Sequence, residues 1–144
     1  MRTFHNDKFF TIQGGIGPKR VDDVLVVLKS YLTRVGSGRL PGELEPDETM
    51  KRGWQEFGSV TGRLRRAAPF NYELAKRAVK INSGTQIAIT KLDVIFPEAK
   101  GAKEYRKLSA KAKQFITSVE SELGIPVVYI GTGAESSDII DRRS

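Results

Sequence analysis

The chain contains no cysteine, so neither a disulfide framework nor a thiolate metal site is open to it. It has a single histidine, His5, with no ligand partner near it in the sequence, and a solvated side chain is the ordinary reading. No stretch approaches the roughly 18 consecutive apolar residues that a membrane helix needs. The opening Met1-Arg-Thr-Phe-His-Asn-Asp-Lys8 lacks the apolar core of a secretory signal, so the cytoplasm is the expected compartment and no membrane partner is expected. Also missing is any glycine-rich run leading into Gly-Lys-Ser/Thr, the loop that cradles nucleotide phosphates.

What is present is an ordinary globular composition. With 144 residues, 39% of them hydrophobic and 28% charged, the chain is long enough for one domain with a real core and too apolar to be disordered. The net charge is +7, from 24 basic and 17 acidic residues. Such a balance suits nucleic acid, acidic metabolites or a merely basic surface. From Lys100 to Lys113 the basic residues are interleaved with small and polar ones at helical spacing, the pattern of a solvated helix face, which points away from nucleic acid.

Val21, Val24, Leu25 and Leu28 recur at helical spacing behind Gly17-Pro18 and predict a helix; Tyr31 to Val35 reads as a strand. Residues 36–45 are loop-like, and a short helix is expected over Asp47 to Arg52. Asn71 is a fitting N-cap for a helix through Ile81 with Leu74, Ala75, Ala78 and Val79 inward. Gln86 to Ile95 reads as a mostly buried strand, and Leu108 to Leu123 as a helix with Phe115, Ile116, Val119 and Leu123 inward, ended by Gly124. Pro126 to Ile130 is a further strand, and Asp138 to Arg142 a short terminal helix at most. Helices alternating with short apolar strands predict a layered α/β fold with a largely parallel sheet.

In such sheets ligands sit at loops that follow the carboxyl ends of strands. Three loops qualify. Ser59-Val-Thr-Gly-Arg63-Leu-Arg65-Arg66 offers two guanidinium forks one residue apart and backbone donors around Thr61 and Gly62, suited to a carboxylate or phosphate; a basic surface loop has the same composition. Thr90-Lys91-Leu92-Asp93 would project Lys91 and Asp93 to one side of an extended segment. There the carboxylate can accept from the N–H groups of a guanine and the lysine stem can cover its ring, although an exposed ion pair has the same spacing. Gly131-Thr-Gly133-Ala134 lets the backbone approach a ligand and read a carbonyl through its N–H groups, or is a plain turn.

Residues Gly14 to Tyr31, Thr33-Arg-Val-Gly-Ser-Gly38, Glu56-Phe-Gly-Ser-Val-Thr-Gly-Arg-Leu-Arg-Arg66, Thr90-Lys-Leu-Asp-Val94 and Ile130-Gly-Thr-Gly133 resemble, in this order, stretches of adenylosuccinate synthetases. Pro41-Gly-Glu-Leu and Ala68-Pro-Phe-Asn are most similar to the compact archaeal members. The resemblance covers residues 14–144 as the family's C-terminal region and leaves 1–13 unassigned. It implies a P-loop-NTPase-like synthetase fold and a ligase of purine (AMP) biosynthesis. That enzyme uses GTP to phosphorylate the 6-oxygen of IMP, which the amine of L-aspartate then displaces. It implies that Val35, Gly36, Ser59, Val60, Thr61, Gly62, Arg63, Leu64 and Arg65 bind aspartate and IMP, with Arg65 also near the GTP phosphates. It further implies that Lys91, Leu92, Asp93, Gly131, Thr132 and Gly133 bind the guanine of GTP. Many members have Ser at the place of Gly131 and Pro at that of Ala134, and Val60 and Leu64 stand where more polar residues are common.

The family's N-terminal portion holds the phosphate loop, the aspartate that serves as base and magnesium ligand, and the histidine that serves as acid. None has a counterpart here, so the resemblance places no catalytic group and no magnesium ligand in this chain, although GTP and Mg2+ are implied for the enzyme. Two readings stay open. The chain supplies the aspartate and guanine loops of a synthetase whose N-terminal half lies elsewhere, as a homodimer or as a complex with that half; or it is a stand-alone, non-catalytic guanine-nucleotide-binding or interaction module. Either way, a sheet without its other half should expose an edge or an apolar face.

Overall fold

The computed structural model describes residues 20–58 and 62–143. Its strands are β1 (Leu25–Lys29), β2 (Tyr31–Arg34), β3 (Arg66–Pro69), β4 (Gln86–Thr90), β5 (Val127–Gly131) and β6 (Ile139–Asp141). The α-helices are α1 (Pro46–Lys51), α2 (Tyr72–Asn82), α3 (Leu92–Ile95) and α4 (Ala110–Leu123). Four strands form one sheet in the order β1-β4-β5-β6, in which β1, β4 and β5 are parallel and β6 runs antiparallel. Strands β2 and β3 make a separate antiparallel pair. The expected α/β architecture with a largely parallel sheet is therefore present.

The helices follow local chemistry. The Asn71 side chain accepts from the Leu74 N–H and starts α2, whose Ala75, Ala78 and Val79 are buried. Ser109 does the same for the Ala112 N–H at the start of α4, and Gly124 ends that helix at φ +71°, a conformation glycine takes without penalty. α4 lays Ala112, Ile116 and Val119 onto Ile87, Ile89, Val127 and Ile130, which with Leu92, Ala99, Leu108 and Ile140 form the core. That core fixes the parallel strands, and with them the loops at their carboxyl ends.

Three expectations fail. The helix expected from Val21 is instead β1, because Val24-Leu-Val-Val-Leu28 is a continuous apolar run, compatible with either period, and its valines pair with β4. The strand expected from Gln86 to Ile95 ends at Thr90; Lys91 turns left-handed at φ +59° and Leu92 starts a short helix, burying its side chain completely. The terminal segment is strand β6 rather than a helix, its β-branched Ile140 set opposite Ile130.

Among the described residues β1 pairs only with β4, and along it Leu25 and Val27 are 41% and 63% exposed. Strands of a parallel sheet are ordinarily covered on both faces. Among the described residues, then, nothing pairs with the outer edge of β1, and apolar side chains lie along it.

Candidate functional site

The site begins with Glu56. Its segment folds back on residues 62–65: the Arg65 N–H donates to the Glu56 carbonyl at 2.7 Å, Phe57 bridges Leu64, and the Gly58 N–H donates to the Arg63 carbonyl. The Glu56 carboxylate, only 15% exposed, lies 3.0 Å from Lys29 Nζ, 3.3 Å from an Arg65 guanidinium nitrogen and 3.4 Å from Lys91 Nζ. Tyr31 donates to it at 2.6 Å and Thr33 at 3.4 Å. One carboxylate thus gathers side chains from β1, β2, the arginine loop and the turn after β4.

The electrostatics follow from that crowd. Burial alone would push the Glu56 carboxyl up, but the hydrogen bonds from Tyr31 and Lys29 and the charges of Lys29 and Lys91 outweigh it and hold its pKa at about 2. Burial, with Glu56 beside it, pushes the Tyr31 hydroxyl far up, and the nearby Asp93 charge adds to this. Lys29 is pulled down by burial against the opposing pull of Glu56, with Lys91 and Arg65 also disfavouring its charge. Tyr31 itself is fixed by packing, its ring 5.2 Å from that of Trp54.

The turn after β4 is held from two sides. Buried Ser30 donates through its hydroxyl to the Lys91 carbonyl at 2.7 Å, and Glu56 holds the Lys91 ammonium. Because Lys91 is left-handed and Asp93 lies in the first turn of α3, strand alternation does not put them on one side as expected. Asp93 nevertheless lies near the Glu56 cluster, since its charge acts on Tyr31. Leu92 is fully buried in the core, which leaves only its backbone to meet a ligand.

The loop after β5 abuts the same turn: a Cβ at Gly131 would stand 3.5 Å from Thr90 Cα and 3.8 Å from the Lys91 nitrogen. Thr132 is buried and fully engaged, its N–H on the Asp138 carbonyl at 2.9 Å and its hydroxyl on the Ala102 carbonyl at 2.8 Å. The donor expected there is therefore already used within the fold.

Val35 and Gly36 follow β2. Arg66 Nη1 donates to the Gly36 and Gly38 carbonyls, and Arg34 opposes Arg66 in the β2–β3 pair, so this segment borders the arginine loop. Val35 also lines a groove of about 1020 Å³ beside β1 and α2. Arg63 and Leu64 are exposed, Gly62 takes φ +62°, and the Nε of Arg65 is buried without a hydrogen-bond partner among the described residues. Ser59, Val60 and Thr61 lie outside the described residues, as does His5.

The structure thus brings Gly62–Arg65, Lys91–Asp93 and Gly131–Thr132 to one end of the sheet. Glu56, Lys29 and Ser30 were missed by the sequence reading. Each falls inside a motif stretch, but their partners are set by tertiary contacts, and of the partners of Glu56 only Arg65 is close to it in sequence.

A family model described as adenylosuccinate synthetase matches residues 6–100. The chain is 47% identical over 135 residues to the adenylosuccinate synthetase of Methanocaldococcus jannaschii, covering 94% of this chain and 39% of that protein. It is 49% identical over 129 residues to that of Pyrococcus horikoshii, covering 90% of this chain and 38% of that protein. Its fold matches the fully ligated adenylosuccinate synthetase of Plasmodium falciparum with a TM-score of 0.76 at 26% identity, over 90% of this chain and 42% of that one. The succinoaminodeoxyadenylate synthetase of cyanophage S-2L shares the fold at a TM-score of 0.68 and 19% identity. The chain spans about 38% of the length of such curated relatives. With a family model matching residues 6–100 and the parallel sheet in agreement, the chain belongs to the adenylosuccinate synthetase family.

Proposed function

We propose that residues 14–144 are the C-terminal region of a cytoplasmic, GTP-dependent adenylosuccinate synthetase. In this reading they hold L-aspartate and IMP on the loop around Arg63 and Arg65, and guanine on Lys91–Asp93 and Gly131–Gly133. The observation that carries the reading is the meeting of the two loops: Arg65 from one and Lys91 from the other approach the same carboxylate. A site that must hold aspartate beside a nucleotide needs its two recognition loops at this range.

The chemistry available here is binding and orientation. The arginines suit the carboxylates of aspartate through paired, charge-assisted hydrogen bonds, and the buried Nε of Arg65, without a partner among the described residues, is a donor whose cost a bound anion would relieve. Asp93 would accept from the ring N–H and the exocyclic amine of guanine, and the Lys91 stem would lie against the ring. With the amine of aspartate held towards the nucleotide, these residues lower the barrier by proximity and by fixed charge. Magnesium, in the family's chemistry, supports transfer of the phosphoryl group. Among the described residues no three His, Cys, Asp or Glu side chains converge to hold an ion. The family's phosphate loop, acid and base have no counterpart in this chain, and a separate N-terminal half would supply them.

Calorimetry tests the guanine assignment. The chain should bind GDP in preference to ADP, and Asp93→Asn should erase the preference; equal affinity for both nucleotides would sink it. Mixing the chain with the remaining portion of a relative then separates the two classes of function. Adenylosuccinate formed only in the mixture supports a synthetase part, whereas binding of GDP with neither association nor turnover marks a nucleotide-binding module.

A further inference from the structure

We propose that Glu56 is a positioning residue shared by the two loops, holding Arg65 of one and Lys91 of the other in fixed register through a single carboxylate. The inference rests on the reading of those loops as ligand-binding, and it adds a residue to which that reading gives no role.

The geometry supports it in three ways. Glu56 is anchored before it anchors anything else: its carbonyl accepts the Arg65 N–H, and the Phe57–Leu64 bridge follows directly. Its carboxylate is enclosed and aimed by Tyr31, whose ring is locked against Trp54, so the acceptor cannot swing away. Finally, three cations from three separate segments, Lys29, Arg65 and Lys91, converge on it. Like charges brought this close repel unless one anion sits between them. Replacing Glu56 with a neutral group therefore removes the reason for Arg65 and Lys91 to share a location. Lys29 is part of the same device, since it compensates the buried carboxylate from β1 and bonds Thr33 at 2.5 Å. Three cations against the Glu56 carboxylate leave this cluster positive even with Asp93 nearby, as a site for anionic ligands should be.

Two measurements on the full chain test the proposal separately from the functional reading. The first is amide hydrogen exchange in Glu56→Gln, with Glu122→Gln, the surface partner of Lys76, as control. Loss of one charge-assisted bond should speed exchange about tenfold at Arg65 and also at Val94 and Phe96, whose N–H groups bond Lys91 and Leu92. Ile87 and Ile130 in the sheet should keep their protection. The second is calorimetry, in which Glu56→Gln should bind GDP about tenfold more weakly and discriminate less against ADP, while Glu56→Asp recovers part of the loss.

Loosening of both segments together supports the shared anchor even if the wild-type chain fails to prefer GDP, a result that would defeat the functional reading alone. Loosening of only one segment, or of neither, overturns the anchor whatever binds. Should Glu56→Gln not fold, Tyr31→Phe keeps the charge and the ring while removing the 2.6 Å bond. It should loosen both segments to a smaller degree, and unchanged protection in both would refute the proposal.

Discussion

Ser30 donates its hydroxyl to the carbonyl of Lys91 at 2.7 Å, tying the end of β1 to the turn that follows its neighbour β4. The Ser30 N–H also donates, at 3.0 Å, to the Thr90 carbonyl, so one small buried residue holds both peptide units on either side of the strand end. Lys91 sits at φ +59°, which costs a non-glycine residue about 1 kcal/mol and persists only where its surroundings impose it. Ser30 is one of the two groups that impose it.

Ser30→Ala should therefore act twice. Removing the hydroxyl leaves the Lys91 carbonyl only the longer bond from the Val94 N–H, at 3.2 Å, and costs about 1 kcal/mol of stability, read by urea unfolding. The freed turn should also lose affinity for GDP while the β1–β4 pairing remains. A variant that loses stability but keeps full GDP affinity would show that the turn holds its shape without Ser30.

Lys91→Gly separates backbone strain from side-chain function. Glycine adopts the left-handed conformation freely and should return about 1 kcal/mol, against roughly 0.5 kcal/mol for losing a half-exposed ion pair with Glu56. Stability should therefore hold or rise slightly, whereas GDP binding should fall because nothing covers the guanine ring. Fully retained binding would remove the lysine from the site.

Acid should unfold the chain partly through Glu56, and the sign is fixed by its pKa. That value is about 2 in the folded chain against an ordinary 4.5, so the unfolded state takes up the proton first. The stabilisation is then complete above pH 4.5 and drains away as the pH falls through about 2. For this mostly enclosed carboxylate it amounts to roughly 1–3 kcal/mol. The stability gap between the wild type and Glu56→Gln should narrow steadily across that window in urea titrations. A gap that stays constant with pH would mean the loss comes from packing rather than from the ionised carboxylate.

How much of this was legible beforehand depended on whether the cause was local. The N-caps at Asn71 and Ser109 and the glycine end of α4 are decided within a few residues, and α2 and α4 lie close to where the periodicity puts them. At Val24–Leu28 the run satisfies two periods at once, and only β4, some sixty residues later, makes it a strand. The end of β4 was misread for a related reason: Lys91 is turned by Ser30 and Glu56, neither near it in sequence. The loops stand out in the sequence only through the family resemblance, since each alone reads equally well as a basic surface loop, an exposed ion pair or a plain turn. Glu56 does not, since a lone glutamate gains its meaning from the cations brought to it, and Lys29 and Lys91 lie far from it in sequence.

Gly131 and Gly133 look alike in sequence and differ in the fold, and a pair of substitutions makes the difference measurable. A Cβ at Gly131 would meet Thr90 Cα at 3.5 Å, an ordinary van der Waals distance, so Gly131→Ser should fold with wild-type stability to within about 0.5 kcal/mol. A Cβ at Gly133 would stand 2.7 Å from Asp138 Cγ and nearer still to its Oδ2. Asp138 has little room to yield. Lys103 holds it at 2.7 Å, its own N–H donates to the Glu135 carbonyl, and its carbonyl accepts the Thr132 N–H. Gly133→Ala must therefore displace the whole 132–138 loop, at a cost of about 1–3 kcal/mol. If the loop reads guanine, Gly131→Ser should keep GDP affinity and Gly133→Ala should lose it, with the loss tracking the displaced loop. Equal behaviour of the two variants in unfolding and in calorimetry would show that the turn is tolerant of shape and takes no part in recognition.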